Sequence, residues 1–224
     1  MLDDIRDLLA DNDEQLTLVG RIYAEGEESG IESRRLRPRI KNVVENQRSI
    51  LDYLAHEVHQ QHGIETKAKV YYPFASSSEK FAGDIDGRMP GVRKARPDIA
   101  EAIKRHQPFN HDWMIWLNYL RNESGHRTLS KQRERKTTRT LLHLRGGGTS
   151  SIQDIGVIGS DGEPVHPSAV FSGVDSYTDV TVTVWTFDAP SIPSMPSIAA
   201  PTVLAMIEDG IRTAVADIAQ AAGL

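Results

Sequence analysis

The hydrophobic period changes twice along this 224-residue chain, and that change limits the fold more than any other feature. Up to about Lys136, apolar residues recur every three or four positions, the spacing of helices with one buried face. Beyond it, short β-rich runs such as VTVTVWTF over Val180–Phe187 alternate as one-sided strands do. Helical spacing then returns over Thr202–Ala222 in Val203, Ile207, Ile211, Val215 and Ile218. Helices, then strands, then one helix predict an α+β protein: a helical N-terminal region, a small, mainly antiparallel sheet and a C-terminal helix packed on that sheet. The expected division is 1–136 and 137–224, the two parts packed as one unit.

Individual elements can be placed from their punctuation. A first helix spans Leu2 to about Gly30, with Asp11-Asn12-Asp13 as a candidate break. A stronger one runs Leu36–Gln61 and stops at Gly63. Lys67–Phe74 is a connector or brief strand before a helix opening near Glu79. Pro97 opens a helix to His106, and another crosses Asp112–Asn122. Strands are expected at Arg139–Arg145, Ile152–Ile158 and Val180–Phe187, with a tight turn at Asp161-Gly162. Gly146-Gly147-Gly148 is a connection rather than a phosphate loop, and the proline-punctuated Ala189–Pro201 is a linker.

Composition narrows the chemistry. The chain has no cysteine, which excludes disulfides, a thiol nucleophile and Cys-ligated zinc, so a site must use His, carboxylates, Arg and hydroxyls. No apolar run approaches the roughly 18 residues of a membrane span, and the acidic start does not read as a secretory signal, so the expectation is a cytoplasmic protein without membrane contact. Charge is segregated. Residues 1–30 carry two positive and nine negative groups, residues 31–148 carry 23 and 13, and residues 149–224 carry one and nine. Either the acidic ends neutralise the basic middle within the fold, or the middle meets an anionic partner such as RNA.

The most informative segment is Trp113–Leu129, where an apolar helix runs into Arg121-Asn122-Glu123-Ser124-Gly125-His126-Arg127. A base that titrates near neutrality thus stands close in sequence to a permanent, forked cation that can hold an anion. Five residues apart on an unbroken helix, Arg121 and His126 would lie about 140° apart, so convergence requires the helix to end between them, as Gly125 allows. The R-N-x-x-x-H pattern of Arg121, Asn122 and His126, together with KNVVENQRSILDYLA over Lys41–Ala55, resembles the HEPN superfamily of helical domains across roughly residues 31–130. That resemblance implies a metal-independent endoribonuclease, a toxin or defence effector, with Arg121 and His126 catalytic and two motifs facing each other across a homodimer. Asn122, Arg127 and Lys131 are the accompanying RNA-binding candidates, products would end in 2′,3′-cyclic phosphate, and neither cofactor nor metal is needed.

Other readings stay open beside it. Arg121, His126 and Arg127 also suit a helix C-terminus, where they complement the dipole and terminal carbonyls. The chain then becomes a non-catalytic helical binding module for an anionic ligand, nucleic acid or protein partner, or an interaction protein. His56, His59 and His62 lack the order of a zinc helix and read as a solvated helix end. Glu45, Arg48 and Asp52 interrupt the apolar face of the second helix at ion-pair spacing. Lys131–Lys136 reads as a solvated connection, and Trp113 and Trp116 as core or interface anchors. The apolar Trp113–Leu120 helix and the Val203–Ile218 stripe exceed what a small sheet needs, which motivates the homodimer.

Overall fold

The computed structural model describes residues 2–29, 34–62, 64, 67–126, 133–144, 149–153, 174–187 and 198–224; Leu2, residues 123–126 and the strands before residue 198 are described through their backbone alone, Thr186 excepted. These residues are mostly helical. In chain order they form α1 (Leu2–Ser29), α2 (Leu36–Gln61), α3 (Ser78–Arg88), α4 (Val92–Ala95), α5 (Pro97–Arg105), α6 (Asp112–His126), β1 (Arg133–Leu144), β2 (Thr149–Gln153), β3 (Val174–Phe187), β4 (Ile198–Ala199) and α7 (Ala200–Ala222).

The core is helical and centres on α2. Val43, Val44, Ile50, Leu51, Leu54 and Val58 are fully buried there, as the three-and-four spacing predicts. Against them lie Trp116, Leu117 and Leu120 of α6 and Val203, Leu204, Ile207 and Ile211 of α7. The C-terminal helix was expected on the sheet. It packs mainly against α2, α5, α6 and α1, and touches the sheet at β3 and β4 as a smaller part of its contact. Its apolar stripe matches the helical core, so the β segments enter the chain between two helices that share that core. The two stripes that motivated a homodimer are likewise buried within a single chain: Trp113 is 6% exposed, and Val203, Ile207 and Ile211 are 0%.

The run Asp11-Asn12-Asp13 does not break α1. Each of its side chains is held from a neighbouring helix, which removes the competition such residues usually offer their own backbone. Asn46 Nδ2 donates to Asp11 Oδ2 at 2.7 Å, Asn12 Nδ2 to Glu208 Oε2 at 3.0 Å, and Arg212 Nη2 to Asp13 Oδ1 at 2.8 Å. Gln47 Nε2 also donates to Glu208 Oε2 at 3.3 Å and to the Leu204 carbonyl at 3.1 Å. A polar cluster therefore fixes α1, α2 and α7 in one register.

The strands pair antiparallel in the order β2-β1-β3-β4. β1 and β3 run in register from Arg133↔Thr186 to Leu144↔Val174, with an irregularity between His143 and Leu144. Arg133 to Lys136, expected in a solvated connection, thus begin a strand: backbone pairing with Thr183–Thr186, a stretch of β-branched and aromatic residues, recruits polar residues that propensity alone would leave out. Thr186↔Ala199 returns the chain to the start of α7. The expected turn at Asp161-Gly162, the Gly146–Gly148 connection and Gly63 lie outside the described residues.

Two tests follow from this core. A Cβ at Gly210 of α7 would fall inside the Trp113 indole, so Gly210→Ala should lower the unfolding free energy by about 1–3 kcal/mol; a parent-like urea midpoint would contradict the α6–α7 contact. Burial raises the pKa of Glu208 from 4.5, against the opposing pull of Gln47, Arg212 and Asn12. A raised carboxyl contributes stability that is whole below its ordinary pKa and is lost as pH climbs through the folded value. Glu208→Gln lacks that loss. The stability of the variant relative to the parent should therefore rise with pH across this window and then level off, whereas parallel pH profiles would contradict the assignment.

Candidate phosphate site

An extended segment, Tyr71–Ala75, crosses the side of α2; beyond Tyr71, whose N–H donates to the Arg88 carbonyl at 3.1 Å, its backbone groups must find side-chain partners. They do. Tyr72 N donates to Asp52 Oδ1 at 2.8 Å, Phe74 N to Asp84 Oδ2 at 2.7 Å and Ala75 N to Gln107 Oε1 at 2.9 Å. Gln107 Nε2 returns a bond to the Pro73 carbonyl at 3.3 Å, and Arg48 Nη2 one to the Tyr72 carbonyl at 3.1 Å. Pro73, with no N–H to satisfy, fits the one backbone position of this stretch that offers no donor.

This arrangement encloses a cavity of about 520 Å³. Its walls are Arg48 and Asp52 of α2, Tyr71, Tyr72 and Phe74 of the extended segment, Asp84 and Arg88 of α3, and Asn118, Arg121 and Asn122 of α6. Each helix contributes side chains four residues apart, the spacing that puts two groups on one helical face. The size lies within the roughly 300–1,000 Å³ of small-molecule sites, but the lining is far more polar than usual for them.

Arg48 is the most buried charged residue of the wall. Its side chain is 9% exposed, its Nη2 donates to Asp52 Oδ1 at 2.7 Å, and its guanidinium lies 4.1 Å from the centroid of the Phe74 ring. Nε and Nη1 are buried and have no hydrogen-bond partner among the described residues. Burial pushes the Arg48 pKa down to about 10; Asp52 opposes this, and Arg121 and Arg88 add to it. Burial also raises the Asp52 carboxyl, against the pull of Arg48, the Tyr72 N–H and Arg121. Three guanidinium groups thus share one cavity with two carboxylates, each of which has an oxygen committed to backbone. The arrangement suits one anionic group carrying several acceptor oxygens.

Of the residues singled out from sequence, Arg121 and Asn122 line this cavity, and Asn122 Nδ2 stands 3.5 Å from Asn118 Oδ1. His126 is the last residue of α6, whose backbone stays helical through Gly125. Positions 121 and 126 therefore sit on one continuous helix, about 140° apart around its axis. Arg127 and Lys131 lie outside the described residues. Arg48 and Asp52 were visible as polar interruptions of an apolar face; Arg88, Asp84, Asn118 and Tyr71 carried no such signal, because only tertiary packing brings α3 and the extended segment to α6.

The histidines of α2 and its C-cap, His56, His59 and His62, do not converge. His56 Nε2 meets Gln60, the buried His59 Nε2 meets the Pro90 carbonyl at 2.9 Å, and His62 meets Arg96. No group of three or more potential metal ligands occurs among the described residues. Nor is any described helix long and apolar enough to cross a membrane. Comparison with models of protein families, with curated proteins and with solved structures finds no match.

Gln107 holds the wall of the cavity in place, so Gln107→Leu leaves the Ala75 N–H and Pro73 carbonyl without partners. The cost should be about 1–3 kcal/mol for each buried group, with faster hydrogen exchange at the Ala75 amide. Unchanged exchange there would show that the segment is fixed by other means.

Proposed function

We propose that this α+β chain is an RNA-binding module whose helical part, with the sheet as an appendage, takes a phosphate of RNA into the Arg48–Arg88–Arg121 cavity. The observation that carries the reading is the buried Arg48 guanidinium, with two donors unpaired, in a cavity that Arg88 and Arg121 also line. Buried donors without partners cost free energy that an anionic acceptor recovers, and planar guanidinium groups match phosphate oxygens better than any other side chain. The basic balance of residues 31–148 supports a polyanionic partner over a small neutral one. Fluorescence anisotropy with an unstructured RNA oligonucleotide tests it. Arg88→Ala and Arg121→Ala should each weaken binding and lower its salt dependence. Affinity and salt slope equal to the parent in both variants would overturn the assignment.

Cleavage is the second reading, and the position of Arg121 and Asn122 on the cavity wall favours it. The resemblance to HEPN ribonucleases supplies the expected chemistry: His126 as base, Arg121 as phosphate clamp, no metal, and a toxin or defence role. Because positions 121 and 126 lie on different sides of one helix, joint action at one phosphate calls for a paired motif from a second copy. Under this reading the protein cuts RNA in EDTA to 2′,3′-cyclic phosphate ends, and His126→Ala or Arg121→Ala abolishes cutting. Intact RNA with the parent protein leaves binding as the function, and full activity in His126→Ala removes His126 as the base.

A further inference from the structure

Arg48 is the most deeply placed of the cations in the cavity, and its depth bears on which phosphate of an RNA can reach it. Arg88 and Arg121 are exposed, within reach of a backbone passing outside. The Arg48 side chain is 9% exposed, stacks on Phe74, and holds Nε and Nη1 buried without a hydrogen-bond partner among the described residues. A phosphodiester in the middle of a strand has chain leaving on both sides, so bringing it to a buried group means burying two backbone segments with it. Asp52 and Asp84 line the same cavity and would repel the phosphates on either side. A terminal phosphomonoester has chain on one side only, three free oxygens and a charge near −1.5 to −2 at neutral pH. It can enter end-first past the exposed Arg88 and Arg121, and its several oxygens can draw on the Arg48 guanidinium deeper in the wall, whose buried donors a small shift of the lining would uncover.

Resting on the RNA-binding reading above, we infer that the cavity reads a phosphorylated RNA end, with Arg48 as the residue that distinguishes the terminal phosphomonoester from internal phosphodiesters. Arg88 and Arg121 supply attraction to any phosphate; Arg48 supplies the preference for the end. The two carboxylates limit the seat to a single phosphate.

The test compares one unstructured RNA oligonucleotide in three forms, with a 5′-phosphate, with a 3′-phosphate and with hydroxyls at both ends, by anisotropy at fixed salt. At least one phosphorylated form should bind about ten- to a hundred-fold tighter than the hydroxyl form, the gain expected of charge-assisted bonds to a buried cation, and the form that gains identifies the end that is read. Arg48→Met should bring all three to the hydroxyl level, whereas Arg88→Ala should weaken all three by a similar factor and keep the preference. A measurement on the parent protein covers the case in which Arg48→Met fails to fold: inorganic phosphate should compete the phosphorylated RNA down to the hydroxyl level and go no further. Equal binding of the three forms overturns the end-reading role while leaving RNA binding in place. No binding of any form overturns both. A nucleoside monophosphate that binds as tightly as the phosphorylated strand overturns the assignment to an RNA end, since the strand would then contribute nothing.

Discussion

The guanidinium of Arg48 is withdrawn from water with one of its three nitrogens bonded, and the architecture around it follows from making that tolerable. A buried cation is stable only when it is paired and hydrogen-bonded. Asp52, one helical turn later, supplies the charge; the Tyr72 carbonyl supplies an acceptor; Phe74 supplies an aromatic face. The same Asp52 oxygen accepts from Tyr72 N, so the partner of the cation also fastens the extended segment to α2. Asp84 and Gln107 continue that fastening, and α3 and the end of α5 are thereby placed around the cavity. What this network leaves unmet is the pair Nε and Nη1, buried atoms of a residue that lines the cavity and without a hydrogen-bond partner among the described residues.

The rest of the helical module uses the same device, buried polar groups that specify register where apolar packing alone would permit slippage. Asn12, Gln47 and Glu208 tie the first, second and last helices together across separations of 196 and 161 residues. Because α7 completes the core around α2 and α6, the helical module is not finished until the C-terminal residues arrive, and β1 to β4 occupy an insertion within it. Gly210 allows α7 to approach Trp113, and Gly223, in the left-handed conformation at φ 71°, ends the helix with Leu224 N donating to the Ala219 carbonyl at 3.0 Å.

Much of this was legible in the residues, and the exceptions share a cause. Local signals located α2 at Leu36–Gln61 and the start of α5 at Pro97, where periodicity and punctuation agree. An apolar stripe such as Val203–Ile218 reads identically whether it covers a sheet, a partner or other helices, so its docking could not be read. Asp11-Asn12-Asp13 resembled a break because its acceptors were assumed to turn on their own backbone, and their actual partners lie 35 to 199 residues away. For the site, Arg121 and Asn122 stood out at a polar helix end, and Arg48 and Asp52 stood out against an apolar face. The network that joins them runs through Tyr72, Phe74 and Gln107, residues whose role is set by backbone geometry rather than by type.

The central claim is that the two unpaired nitrogens of Arg48 are the seat of a phosphate. Side-chain NMR observes one of them directly, through the Nε–H resonance of Arg48 during a titration of the parent protein with inorganic phosphate. The account predicts a saturable shift of that resonance and slower exchange of its proton with water as a buried donor acquires an acceptor. An Arg48 Nε–H that stays unchanged while phosphate shifts Arg88 and Arg121, or shifts nothing, would contradict it.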